Sequence, residues 1–211
     1  SILDVMPNVT QTLLKEHYRC HPKIINFCNQ KFYHGELIIM TTDNGEDDVL
    51  AVVKTVKGNH ERNHYSQRQI DIIKHEILPK YSLKPDETGI ITPYKNQVKA
   101  LNKETKKIIG SRTSIFKDDI DKMEIDAATV HKFQGKEKGN IIISTVDDEI
   151  SDFADDSYLI NVAISRAKKR LMLVVTGNTI EDKVIKNVGN NATNNSVKSV
   201  EPNKDKETIT I

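Results

Sequence analysis

The chain has 211 residues, enough for one domain with a sizeable core or for two small domains. Lys and Arg number 31 and Asp and Glu number 30, so the net charge of +1 excludes nucleic-acid binding through a bulk positive field and leaves local patches. Aromatic residues are 5% of the chain and Trp is absent, which argues against a single-strand site built mainly on stacked rings.

The cysteine count and the short apolar runs argue against a disulfide-rich, zinc-binding or membrane-spanning protein. Cys20 and Cys28 are too few for a disulfide framework or a four-cysteine zinc site, and we expect both to be small apolar core residues. No apolar run approaches the ~18–20 residues of a membrane span. We therefore expect a cytoplasmic protein without membrane contact and without a metal site.

Strand-like and helix-like patterns alternate along the chain. The β-branched and apolar runs predict strands over 12–17, 49–56, 88–92, 125–130, 140–146 and 170–175. Helical spacing and turn residues predict helices from Pro22 to about Phe32, from a Ser66 cap to Pro79, and over 96–107, 158–167 and 181–186. This alternation predicts an α/β fold with a mainly parallel sheet, helices on both faces, and ligands beyond the carboxyl ends of the strands.

Two segments do not fit the alternating pattern. Residues 188–211 are rich in Asn, Ser, Thr and Lys, so we predict one domain over 1–187 followed by a poorly ordered polar tail. Residues 147–156 form an acidic loop with no base, and a solvated loop is the expectation there because no His or Asn completes a metal-ligand pattern.

Several catalytic signatures are absent from these 211 residues. No G-x-x-x-x-G-K-[ST] loop, G-x-G-x-x-G turn, G-x-S-x-G elbow or H-E-x-x-H pair is present. The first of these holds nucleotide phosphates through backbone N–H groups and a Lys. The chain alone is therefore not expected to bind ATP tightly or hydrolyse it, and any chemistry must be shared with another segment.

Two arginines stand where a side chain can contact phosphate. Arg19 follows a predicted strand and precedes the helix at Pro22, where a guanidinium can grip phosphate oxygens; a surface arginine is the alternative. Arg166 lies in the last turn of a helix, where it either complements the helix dipole or delivers charge across a cleft to a phosphoryl-transfer transition state.

The segment 129–137 follows another predicted strand. Gly135 permits close approach of the backbone to a ligand, and Glu137 can accept hydrogen bonds from sugar hydroxyls. Thr129 and His131 can donate to phosphates. An ordinary turn with one glycine is the alternative.

A basic stripe follows the strand over 88–92. Lysines recur every fourth residue from Lys95 to Lys107, which usually marks only a solvated helix face. Here the stripe begins beside Thr92, whose hydroxyl can reach a phosphate, so contact with a nucleic-acid backbone is the second possibility.

Together these stretches resemble the second RecA-like motor domain of superfamily 1 helicases, in the branch that contains the nonsense-mediated mRNA decay helicase and its bacterial relatives. The resemblance covers about 13–177 and rests on four motifs in the family's order: Tyr18-Arg19-Cys20-His21-Pro22 with the Phe27 to Leu37 pattern, Ile91-Thr92-Pro93-Tyr94-Lys95-Asn96-Gln97, Phe133 to Glu137, and Ile160 to Ala167.

The resemblance implies a role for each matched residue. Arg19 and Arg166 would reach the γ-phosphate of ATP across a cleft, with the phosphate loop and the Mg²⁺ carboxylate supplied by an N-terminal RecA-like lobe of the same protein. Gly135 and Glu137 would lie by the nucleotide, Glu137 near the ribose, and Gln134 would help to order that site.

The same resemblance implies a nucleic-acid track. Thr92, Lys95, Thr129 and His131 would lie against the backbone of a single strand of DNA or RNA. Two departures from the family pattern stand out: Cys20 replaces a usual Met, and Ser157-Tyr158 replace residues that are often basic, so no basic contact is expected from that position.

The resemblance predicts half of an ATP-driven helicase or translocase, inactive by itself. Two other classes stay open on the sequence. One is a non-catalytic module that keeps the fold and binds nucleic acid or protein. The other is a nuclease built on the acidic loop and His131, although carboxylates and a lysine at nuclease-like spacing are not evident.

Overall fold

The computed structural model describes residues 14–56, 60–61, 63–112, 125–147 and 156–176. The predicted helix over 181–186, the polar tail 188–211 and most of the acidic loop lie outside the described residues. The domain boundary at 187 therefore stays a prediction. Among the described residues, no helix is long and apolar enough to cross a membrane.

Strands and helices alternate along the described residues. The strands are β1 Glu16–His17, β2 Ile38–Ile39, β3 Leu50–Thr55, β4 His60–Glu61, β5 Tyr65–Ser66, β6 Thr88–Thr92, β7 Asp126–Thr129, β8 Lys138–Ser144 and β9 Ala167–Thr176. The helices are α1 Pro22–Phe32, α2 Gln67–Ile72, a π-helical turn Ile73–Ile77, α3 Leu78–Lys80, α4 Lys95–Arg112, α5 Val130–Phe133 and α6 Ser157–Ile164.

Five strands form one parallel sheet in the order β3-β9-β8-β6-β7. Two strands, β8 and β9, run through its centre, where Ile141 lies opposite Leu171 and Ile143 opposite Leu173. All five strands point the same way, so their amino ends share one edge of the sheet and their carboxyl ends share the other.

Helices cover both faces of this sheet. One buried cluster packs α1 and α6 against alternate sheet residues such as Leu50 and Ile141, and the other packs α2, the π-helical turn and α4 against Val53 and Ile142. Successive strand residues point to opposite faces, which explains why neighbours in β8 belong to different clusters. The predicted three-layer α/β fold of the RecA-like type is confirmed.

The first predicted strand is wrong in one respect. Only Glu16–His17 is a strand within the described part of 12–17, and it pairs with β2 in a separate two-stranded sheet. Arg19 therefore does not follow a strand of the main sheet. The helix at Pro22 has the predicted bounds, and both Cys20 and Cys28 are fully buried in the core.

The helix after Ser66 keeps its predicted cap but changes its winding. The Ser66 hydroxyl accepts a hydrogen bond from the Gln69 backbone N–H at 3.4 Å. Further along, the Leu78 N–H bonds to the Ile73 carbonyl, five residues back. Pro79 comes next and has no N–H to donate. The wider π-helical turn therefore lies where the regular α-helical hydrogen bonds are interrupted.

Candidate functional site

The amino-terminal edge of β8 and β9, opposite to the carboxyl ends where ligands were predicted, brings three predicted site residues together. Glu137 directly precedes β8, and Arg166 directly precedes β9. The Lys138 N–H donates to the Arg166 carbonyl at 3.1 Å, which ties the starts of the two strands. Arg19 reaches the same place from the loop before α1.

Glu137 is the centre of a charged cluster at this edge. Its carboxylate accepts from Arg19 Nε at 2.8 Å and from the Lys168 ammonium. The hydrogen bond from Lys168, followed by the charges of Lys168, Arg19 and Arg166, outweighs partial desolvation and lowers the pKa of Glu137. The carboxylate is therefore ionised at neutral pH and holds two cations beside each other.

Arg19 borders an open cleft, whereas Arg166 is turned away from it. The cleft has a volume of about 500 Å³ and is lined by Arg19, Glu137 and Lys168 with residues 16–18. The Arg166 side chain lies along the end of α6, with Nε donating to the Val162 carbonyl at 3.1 Å. Its Nη1 atom lies 3.5 Å from the Lys136 carbonyl, so a change of rotamer is needed before Arg166 could enter the cleft.

Cys20 fixes the base of this cluster. Its thiol donates to the Ser165 carbonyl at 3.4 Å, and the neighbouring His21 N–H donates to the Lys168 carbonyl at 2.8 Å. Burial raises the pKa of Cys20 to about 11 despite the positive charges of Arg19 and Arg166. The thiol is neutral at physiological pH and joins the start of α1 to the end of α6.

Gly135 provides the turn that leads into Glu137. Its φ of +85° lies in the left-handed region, which a residue with a Cβ seldom adopts. A Cβ at this position would meet nothing within 4 Å, so the backbone angle and not crowding requires glycine here. Gln134, which precedes it, is exposed in an extended conformation.

The other predicted residues lie at the carboxyl edge of the sheet. Thr92 ends β6 and pairs in register with Thr129, which ends β7. His131 lies in the short helix that follows, and Lys95 begins α4; both side chains are exposed. Since β8 spans seven residues at ~3.3 Å each, the two edges are roughly 20 Å apart.

Thr92 carries an orphaned polar atom at this edge. The residue is fully buried, and its Oγ1 has no hydrogen-bond partner among the described residues. Buried hydroxyls are almost always paired, and this one is closed to solvent, so a phosphate could reach it only after the neighbouring side chains move.

Two glutamines beneath the carboxyl edge, Gln69 and Gln97, are buried, and the sequence did not predict this. Gln97 Oε1 accepts from the Ser66 N–H at 2.9 Å, and its Nε2 donates to Ser144 Oγ at 3.1 Å. Ser144 Oγ in turn donates to Gln69 Oε1 at 2.7 Å. The second motif of the resemblance includes Gln97, which was the one available signal, whereas nothing in the sequence singles out Gln69.

A second polar cluster offers three potential metal ligands, His21, Asp43 and Glu46. His21 Nε2 lies 3.2 Å from Glu46 Oε2, while its Nδ1 accepts the Lys23 backbone N–H at 3.1 Å. An imidazole that accepts at Nδ1 carries its proton at Nε2, where it donates to the carboxylates and has no lone pair for a cation. Lys23 Nζ also neutralises Asp43 at 3.2 Å, so the cluster is an ion-pair network.

Comparison with known proteins gives concordant results. A family profile described as an AAA domain matches residues 3–179. The chain is 31% identical over 193 residues to the helicase SEN1 of Saccharomyces cerevisiae, with 79% of the chain and 8% of SEN1 covered. It is 27% identical over 197 residues to the human RNA helicase Mov10l1, with 79% of the chain and 15% of that protein covered.

Two further matches extend the range of organisms. The chain is 27% identical over 202 residues to an uncharacterised ATP-dependent helicase of Methanocaldococcus jannaschii, with 82% of the chain and 28% of that protein covered. A solved C-terminal domain of a possible DNA helicase from Lactobacillus plantarum superposes with a TM-score of 0.48 at 16% identity, covering 81% of this chain and 93% of that one.

The chain spans between 8% and 28% of the length of these three relatives. All three are helicases by name, and the family profile covers most of the chain. The chain therefore belongs to the AAA domain family and is a RecA-like domain of the superfamily 1 helicase type.

Proposed function

We propose that this chain is the second motor lobe of an ATP-dependent helicase or translocase that acts on a single strand of DNA or RNA. In this proposal Arg19 and Arg166 stabilise charge on the γ-phosphate of an ATP held mainly by the first lobe. The opposite edge of the sheet, with Thr92, Thr129 and His131, contacts the strand. A cytoplasmic location remains part of the same prediction.

The observation that carries the proposal is the charged cluster at the amino edge. Arg19, Lys168 and Glu137 meet at an open cleft although they come from three separate segments of the chain. Arg19 is 43% exposed, so its fork of donors can exchange Glu137 for phosphate oxygens without unfolding its surroundings. Such an exchange matches an arginine that engages only when a second lobe closes the cleft.

The chemistry of these residues fits part of an ATP site and not the whole. The cations suit a polyphosphate, and the carboxylate of Glu137 suits ribose hydroxyls once its cations move to phosphate. Mg²⁺ is assigned to the first lobe in this proposal, as the resemblance to the helicase family implies. ATP would supply the bond that is broken, and this lobe would contribute positive charge where the transition state becomes more negative.

The decisive test is the ATPase activity of the full-length protein that contains this chain. Arg166→Ala should lower the single-strand-stimulated kcat by about 10³-fold or more. Its affinity for single strands should stay within about twofold, because Arg166 lies at the opposite edge from the track. Arg166→Lys should recover only part of the rate because an ammonium cannot donate in a planar fork.

Lys31→Ala provides the matched control. Lys31 is exposed in the last turn of α1 and belongs to neither edge, so its loss of one positive charge should leave kcat unchanged. Normal hydrolysis by Arg166→Ala would reject the role of that arginine. A full-length protein that binds single strands but hydrolyses no ATP would identify a non-catalytic module instead.

A further inference from the structure

His64, Tyr94 and Asp147 form a cluster at the carboxyl edge, in which two stacked rings contact one carboxylate. The sequence predicts no role for His64 or Asp147 here. The rings of His64 and Tyr94 are stacked, with centroids 4.2 Å apart and planes 19° from parallel. Asp147 accepts the Tyr94 hydroxyl hydrogen bond, and its other oxygen lies 3.4 Å from His64 Nδ1. One carboxylate thus fixes both rings relative to each other.

Two unusual backbone conformations hold this stack in place. His64 has a φ of +54° in the turn between β4 and β5. Val146 has a φ of +74° in a tight turn closed by the Asp147 N–H donating to the Thr145 carbonyl at 3.0 Å. A positive φ is a genuine outlier for a β-branched residue, and such strain concentrates at functional sites.

The turn that carries His64 is also tied to the helix beside it. Asn96 Nδ2 donates to the Asn63 carbonyl at 2.8 Å, which docks the turn on the start of α4. The structure therefore places His64 by three independent means: the Asn96 bond, the ring stack and the carboxylate.

The stack leaves one ring face available. The His64 side chain is 59% exposed, whereas Asp147 is 16% exposed, so the imidazole is the outward member of the pair. Tyr94 directly precedes Lys95, which is exposed at the start of α4, so the stack lies at the same edge of the sheet as the proposed track. A flat, braced, outward ring at this place can stack on a planar group that travels with a phosphate backbone.

We infer that the outer face of His64 is a stacking platform for one unpaired nucleobase of a single strand whose backbone passes Lys95 at the start of α4. This inference rests on the proposed nucleic-acid track and deepens it. A base can reach the platform only when it is unpaired, so the substrate class is single-stranded nucleic acid rather than duplex. Sequence preference is not expected, because every base offers a π-face.

Equilibrium binding to two oligonucleotides of equal length tests the platform. One is oligo(dT) and the other is an abasic deoxyribose-phosphate chain with the same charge, each measured by fluorescence anisotropy with the 211-residue chain. The wild type should prefer oligo(dT) by about 5- to 150-fold, the worth of one stacked base. His64→Asn should lose most of that preference while binding the abasic chain as the wild type does.

The choice of variants separates stacking from structural damage. Asn tolerates positive φ, so His64→Asn keeps the turn and removes only the ring. His75→Asn makes the same substitution at another exposed histidine, away from the track, and should bind like the wild type.

The outcomes distinguish the platform from the track. Equal binding of oligo(dT) and the abasic chain by the wild type, or an unchanged preference in His64→Asn, overturns the platform and leaves the track standing. If the wild type binds neither oligonucleotide, the track fails and the platform fails with it.

Discussion

The buried amide of Gln97 provides the sharpest test of how the carboxyl edge is built. The residue is fully buried, and its side chain serves the backbone of Ser66 and the hydroxyl of Ser144. Gln97→Leu keeps a similar volume but leaves the Ser66 N–H, which is also buried, without its acceptor. An unpaired buried donor costs about 1–3 kcal/mol, and the weaker loss at Ser144 brings the expected total to about 2–4 kcal/mol.

This change is measurable by urea denaturation. With a slope of about 2 kcal/mol per M, the midpoint should fall by about 1–2 M. Gln30→Leu is the matched control, because Gln30 is exposed in α1 and the same substitution there should change the free energy of unfolding by less than about 0.5 kcal/mol.

A double-mutant cycle tests whether Gln69 and Gln97 are energetically coupled through Ser144, as their hydrogen bonds predict. Ser144 Oγ links Gln97 to Gln69, so Gln69→Leu and Gln97→Leu should not be additive and should differ from the sum by about 0.5 kcal/mol or more. Equal effects of Gln97→Leu and Gln30→Leu would refute the network. Strict additivity would refute its continuity through Ser144.

Three other changes have defined outcomes. Gly89→Ala places a Cβ too close to the Cζ atom of Phe133 for both atoms to keep their positions. The free energy of unfolding, measured by urea denaturation, should fall by about 1–3 kcal/mol, and adding Phe133→Leu should recover part of that loss. Asp156 accepts two backbone N–H groups at the start of α6, both at 2.9 Å, so Asp156→Ala should cost about 1 kcal/mol and Asp156→Asn less, by the same assay. Burial raises the pKa of Cys28 to about 12, from 9.0 for a free thiol. Above about pH 9 the thiol therefore loses its proton in the unfolded chain but keeps it in the folded chain, so the free energy of unfolding falls as the pH rises. Cys28→Ala should make that decline shallower by about 1.4 kcal/mol per pH unit between about pH 9.5 and 11, and an unchanged slope would contradict the burial of the thiol.

The sequence determines the main elements where periodicity is strong. The strand predicted over 88–92 and the helix from Pro22 to Phe32 have the observed bounds, because β-branched runs and a proline at the helix start are local signals. The π-helical turn and the small β4–β5 hairpin were not predicted. Both depend on packing around Ser66 and Pro79 rather than on a repeat in the sequence.

The sequence predicted which residues form the candidate site but not which of them contact one another. The motifs identify Arg19 and Glu137, yet nothing local indicates that they form an ion pair, since they come from distant parts of the chain. Polar residues on helices are normally expected to face solvent, so the burial of Gln69 and Gln97 was invisible. Their hydrogen bonds explain why amides occur there: both contact Ser144, Gln97 also accepts from the Ser66 N–H, and Gln69 also accepts from the Val146 N–H.

Strand β8 joins the two edges and restricts how they can communicate. Glu137 precedes its first residue, and the tight turn that carries Asp147 follows its last. Because β6 and β9 flank it on both sides and its Ile141 and Ile142 are fully buried, β8 cannot slide without breaking two ladders of hydrogen bonds. The backbone at the two ends of β8 is therefore held at a fixed separation. In the proposed helicase, ATP turnover would therefore be coupled to movement along a strand by rotation of this lobe against the first lobe, rather than by sliding of β8 within the sheet.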